Sequence, residues 1–149
     1  MEQLAGIFNN GILWTALGGW LAAQVIKVIL VFITSRKLDF KRLTGSGGMP
    51  SSHSSITTAL TMSVGFVRGF DSAEFAVAMI LTFVVMYDAS GVRRSAGQQA
   101  AILNQIVDDW GRGKFVNTDK KLKELLGHTP LEVIAGAILG VIIAIAVYA

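Results

Sequence analysis

The chain has 149 residues, 52% of them apolar and only 15% charged, with a net charge of +3 and no cysteine. Mean hydropathy is +0.57, whereas a soluble domain usually carries about 25% charged residues. A disulfide scaffold, thiolate chemistry and nucleic-acid binding are excluded, and a single membrane-embedded domain over 1–149 is expected.

The N-terminus MEQLAGIFNN has no basic residue, so it lacks the start of a signal peptide, and the first apolar segment is expected to be retained. A helix needs roughly 20 apolar residues to cross a bilayer core. Gly11 to Ile33 meets this, interrupted by Gln24 and Lys27. Ser52 to Phe70 is rich in Ser and Thr, so it fits an interior helix whose hydroxyls find partners in its neighbours. Ala73 to Tyr87 is apolar and is expected to run on toward Val92. Pro130 to Ala149 is the cleanest span. The expected fold is therefore all-α: an integral-membrane bundle of four transmembrane helices with one or two short cytoplasmic helices.

The cytoplasmic helices are read between the third and fourth spans. In AAILNQIVDDW, Ile102, Leu103, Ile106, Val107 and Trp110 share one helical face. That face fits a helix on the bundle or in the membrane interface, with Trp110 as an anchor. GRGKFVN reads as a loop, and TDKKLKELLG as a short basic helix ended by Gly127.

Eleven of the thirteen Lys and Arg residues fall in the first loop (Arg36, Lys37, Lys41, Arg42) or in the segment from Gly91 to Thr129. The second loop has Arg68 alone, and Lys27 lies inside a span. The positive-inside rule then puts both termini outside and both basic segments in the cytoplasm of a multi-pass cell-membrane protein. Polar groups of all four spans converge at that cytoplasmic face.

Three stretches there carry chemistry. In GSGGMPSSHSS, glycines around Gly48 can turn N–H groups inward, and Ser51 or Ser52 can cap a helix after Pro50. Such a helix start is an anion site, and His53 adds a group that moves protons near neutral pH. In GHTPLE, Thr129, Pro130 and Glu132 fit a capping box, and Glu132 could also orient His128 four residues earlier, as carboxylates do in catalytic triads. In YDASGVRRSAGQQA, Asp88 closes an apolar run. It can pair with Arg93 or Arg94, and either arginine can fork onto phosphate oxygens. Lys27, one or two turns inside a span, needs an anionic partner or must snorkel. Together these residues describe a phosphate site without the acidic cluster that holds magnesium or a metal pair. GAILG at Gly136 to Gly140 permits close helix packing, within one chain or between the copies of a homodimer.

The residues in these stretches resemble those of the type-2 phosphatidic acid phosphatase superfamily, which includes vanadium-dependent haloperoxidases. MPSSHSS is similar to its Pro-Ser-Gly-His motif, with Ser52 in place of the glycine, and GHTPLEVIAGAILG to its closing motif, with Glu132 in place of Asp. Taken with YDASGVRRSAGQQA, the likeness covers most of the chain and is closest to the divergent, haloperoxidase-related branch.

The resemblance implies that His128 attacks phosphorus to form a phosphohistidine, that Glu132 orients it and that His53 protonates the leaving alkoxide. Gly48, Ser51, Ser52, Lys27, Arg36 and Arg93 or Arg94 would hold the phosphate, with Asp88 as an orienting group. It implies a cofactor-free, metal-free phosphatase for a phospholipid monoester in the cytoplasmic leaflet. Two other readings remain. One is a membrane protein that binds lipid phosphate or carries an anion without catalysis. The other is a metal-dependent hydrolase with His53, His128, Asp88 and Glu132 as ligands.

Overall fold

The computed structural model describes residues 6–36, 48–111, 122 and 127–149, with backbone alone for 108–111. Among the described residues a 3-10 turn, Gly6–Asn9, precedes five helices: α1 (Gly11–Ser35), α2 (Ser52–Arg68), α3 (Ala73–Ser90), α4 (Val92–Gly111) and α5 (Pro130–Tyr148). There is no strand among the described residues. The fold is an all-helical membrane bundle.

Local chemistry sets the ends of these helices. Asn10, Ser51, Ser72 and Thr129 cap α1, α2, α3 and α5, each accepting from a backbone N–H of the first turn. Caps of this kind stabilise a helix by about 1 kcal/mol. The capping box of α5 forms as expected, with Pro130 in its first turn. Pro50 lies ahead of the α2 cap instead of inside the helix, and it is Ser51, not Ser52, that caps. Arg36 closes α1 in the left-handed region, φ 55°, its N–H on the Phe32 carbonyl.

Among the described residues, three helical segments contain a stretch long and apolar enough to cross a membrane: Gly11–Ser35, Ala73–Val107 and Pro130–Tyr148. Helix α2, at 17 residues and rich in hydroxyls, is not among them. It is instead the centre of the bundle, packed against α1, α3 and α5. Its Ser54, Ser55, Thr61 and Ser63 are buried. Ser55 donates to the Gly19 carbonyl of α1 at 2.8 Å, and Thr61 donates to the Ala78 carbonyl of α3 at 3.0 Å, beside Thr82. Interhelical hydrogen bonds of this kind are worth about 0.6 kcal/mol each in a membrane. Here they let a polar helix occupy an apolar bundle.

The small residues of α5 answer the packing question left open by GAILG. Gly136 faces the Ser51 carbonyl and Gly140 the Ser55 carbonyl, both too close for a side chain. This close approach is within the chain, between α5 and α2.

The third apolar run breaks one residue before the expected end. Gly91, at φ −105° and ψ −84°, stops α3, and α4 restarts at once and runs 20 residues. The helix expected in AAILNQIVDDW is therefore the second half of a longer one. Asn104 of α4 holds Leu122 by two hydrogen bonds, donating to its carbonyl at 2.8 Å and accepting its N–H at 2.9 Å. The Trp110 side chain lies outside the described residues. So do the GRGKFVN loop and the TDKKLKELLG helix, apart from Gly111, Leu122 and Gly127.

Candidate phosphate site

Helices α2 and α5 start side by side. The Ser51 N–H donates to the Glu132 carbonyl at 2.9 Å, so two helix N-termini open at the same end of the bundle. Each points the positive end of its dipole there. The end of α3 is tied to them, because the His128 N–H donates to the Ala89 carbonyl at 2.8 Å. Gly127, at φ +87°, fits directly against the Arg93 and Arg94 backbone, where a side chain would collide. A glycine there lets His128 dock on the α3–α4 junction.

His128 is 3% exposed. Its Nδ1 is 3.1 Å from Glu132 Oε2, and that same oxygen accepts the Thr129 N–H at 3.1 Å. The carboxylate thus completes the helix cap and orients the imidazole at once. With Nδ1 donating to Glu132, the lone pair of His128 lies on Nε2. Burial pulls the His128 pKa below the ordinary histidine value, while the Glu132 hydrogen bond and the Gly48 backbone pull it partly back. The neutral ring, the form that can attack, is favoured.

His53, in the first turn of α2, faces this ring edge-on at a centroid distance of 6.0 Å. Its Nδ1 is buried and has no hydrogen-bond partner among the described residues. Lys27 is 4% exposed. Its Nζ donates to Ser52 Oγ at 3.4 Å, and the Glu132 carboxylate acts on it electrostatically. A buried ammonium inside a bundle is costly without an anion, and one neutral hydroxyl at that distance is a weak partner. Gly48 sits beside the Lys27 side chain at φ +88°, a conformation that glycine adopts without strain. Next to it a cavity of about 290 Å³ is lined by Lys27, Leu30, Val31, Thr34, Ser35, Gly48 and Met49.

Asp88 pairs with Arg93, Oδ2 to Nε at 2.7 Å, with both side chains partly exposed. The Nε edge of the guanidinium is used, and its position lets it act electrostatically on His53. Arg94 is exposed on α4, and Arg36 is exposed at the end of α1, nine residues or roughly 13 Å of helix beyond Lys27. The residues brought together are Lys27, Gly48, Ser51, Ser52, His53, His128 and Glu132, with Asp88 and Arg93 at the rim. Among the described residues, no group of three or more His, Asp or Glu side chains is placed to hold a metal ion.

Sequence reasoning missed two contributors, the Ala89 carbonyl and the docking role of Gly127. A glycine directly before His128 was visible, but nothing in its neighbourhood identified the backbone it would meet.

A central helix of hydroxyls, two facing histidines and a buried lysine at paired helix starts make up the candidate site of this helical membrane protein. The Divergent PAP2 family matches residues 8–143, and the chain belongs to that family. It is 46% identical over 149 residues to "Uncharacterized membrane protein YuiD" of Bacillus subtilis (strain 168), covering 92% of this chain and 93% of that protein. No solved structure matches it.

Proposed function

We propose that the chain is a membrane phosphatase that hydrolyses a lipid phosphate monoester, such as phosphatidic acid or phosphatidylglycerophosphate, through a phosphohistidine. The observation that carries this reading is the His128–Glu132 contact of 3.1 Å with the His53 ring 6.0 Å away. One imidazole is held by a carboxylate in the attacking tautomer, and a second faces it across a gap. That is the layout needed for a nucleophile and an acid on opposite sides of a phosphoryl group.

In the first step His128 Nε2 bonds to phosphorus while the bond from phosphorus to the alkoxide oxygen breaks, and His53 gives that oxygen its proton. In the second step water attacks phosphorus, His53 takes the water proton and the P–N bond breaks to release phosphate. Lys27, Ser52 and the N–H groups near Gly48 meet the equatorial oxygens, whose charge they stabilise through both steps. Arg93 reaches the same oxygens from the rim. The apolar wall of Leu30, Val31 and Met49 beside Lys27 suits the lipid part of the substrate. The charge distribution supports a cytoplasmic position for this end of the bundle, with both termini outside.

The experiment is turnover by the purified protein in liposomes containing phosphatidic acid, with vanadate and with EDTA. The reading expects phosphate release that vanadate blocks and EDTA leaves intact. Binding without release would favour a non-catalytic role, and loss in EDTA with rescue by a divalent ion would favour a metal-dependent hydrolase.

A further inference from the structure

Helices α3 and α4 together run 35 residues, Ala73–Val107, and only part of that length is apolar enough to cross a membrane. At 1.5 Å per residue that is about 52 Å, against a bilayer core of about 30 Å. The 18 residues of α3 already give about 27 Å. Helix α4 is therefore surplus to the crossing, yet it has an apolar side of its own. Val92, Ile102, Leu103 and Ile106 are 61%, 60%, 50% and 47% exposed. At roughly 100° per residue they fall in one sector, opposite the sector of Gly97, Ala100 and Asn104. That second sector is buried, and Asn104 in it clamps Leu122. One side of α4 is thus covered by its own chain, and the other side is apolar and bare.

We infer that α4 lies in the polar–apolar boundary of the leaflet at the site end of the bundle, with Ile102, Leu103 and Ile106 inserted among the lipids. Two features select lipid as the occupant. First, the bare face continues the lipid-facing stripe of α3. Val77, Ile80, Leu81, Val84 and Tyr87 are all exposed, and Tyr87, Gly91, Val92, Ser95, Ala96 and Gln99 line one continuous groove across the break. Tyr87 at the end of that stripe is the residue type that settles at the headgroup level.

Second, Ser95 and Gln99 share the bare side with the apolar residues. That composition is too polar for the hydrocarbon core and is suited to the boundary, where an amphipathic helix buries its apolar face by about 5–10 Å. Gly91 supplies the bend. Arg94, exposed at the start of α4, then sits where anionic headgroups gather, a cation being worth about 1 kcal/mol near such a surface. The placement stands whether or not the site hydrolyses phosphate.

The absence of native cysteine makes the test direct. Single cysteines at Ile102, Leu103 or Ile106, and at the exposed Gln98 or Gln105 on its flanks, would carry an environment-sensitive fluorophore in phosphatidylglycerol-containing liposomes. The expected result is blue-shifted emission at 102, 103 and 106, quenched by lipids bearing a nitroxide near the headgroup, with iodide quenching 98 and 105 instead. Iodide quenching at all five positions would overturn the inference. So would emission at 102, 103 and 106 that self-quenches between labelled copies and recovers on dilution with unlabelled protein, because the face would then be covered by a second copy.

Discussion

The Ser51 N–H and the Glu132 carbonyl meet at 2.9 Å, and this one hydrogen bond sets the starts of α2 and α5 side by side. His53 is two residues from one end of it and His128 four residues from the other. The facing of the two rings follows from that pairing, not from any direct bond between them.

Glu132 should act on rate and on pH separately. Glu132→Gln keeps the cap but weakens the hold on the attacking tautomer, so turnover should fall by about 10²-fold. Glu132 raises the His128 pKa against the larger lowering by burial, so its removal lets the pKa fall further. The acid limb of the pH–rate profile on an aryl phosphate should already lie below the ordinary histidine value of about 6.5. It should move to still lower pH in the variant. A shift to higher pH would contradict the assignment.

His53→Ala should discriminate between leaving groups. An alkoxide needs a proton as it departs, and p-nitrophenolate needs almost none. Hydrolysis of phosphatidic acid should fall by about 10²-fold or more, and that of p-nitrophenyl phosphate far less. Equal losses on the two substrates would remove His53 from the role of acid.

Gly140→Ala tests the packing that holds the site. A methyl group there meets the Ser55 carbonyl and the Ala59 backbone, whereas one at Gly18 meets nothing within 4 Å. Overpacking costs about 1–3 kcal/mol, so the thermal unfolding temperature in detergent should be lowered for Gly140→Ala and unchanged or slightly raised for Gly18→Ala, where alanine is the better helix former. Equal stability of the two variants would show that α5 and α2 do not depend on this approach.

The termini are proposed to lie outside the cell, on the strength of eleven of thirteen cations in two segments. Cysteines at Gln3 and at Lys120 should label from opposite sides of the membrane. Labelling of both from one side would mean that α2 does not cross.

Much of this arrangement was legible because it is local. Thr129, Pro130 and Glu132 announce a helix start in four residues, and the apolar runs announce their own length. The polarity of Ser52 to Phe70 marked an interior helix for the right reason, since its hydroxyls could be satisfied only by neighbours. What stayed hidden depends on contacts between distant segments. The Ala89 carbonyl under His128, the pressing of Gly127 on the Arg93–Arg94 backbone and the Asn104–Leu122 clamp leave no periodic trace. The break at Gly91 was hidden for a different reason: a glycine inside a helical pattern can be tolerated or can end the helix, and only the packing around it decides.

The central claim is that His128 becomes phosphorylated. Phosphatidic acid carrying ³²P in its phosphate, mixed with the protein and quenched in alkali within a turnover, should leave base-stable, acid-labile label on His128. The label should vanish in a His128→Ala protein that is still folded in the membrane and no longer turns over. Turnover in His128→Ala, or rapid turnover of the native protein with no label on histidine, would contradict the account.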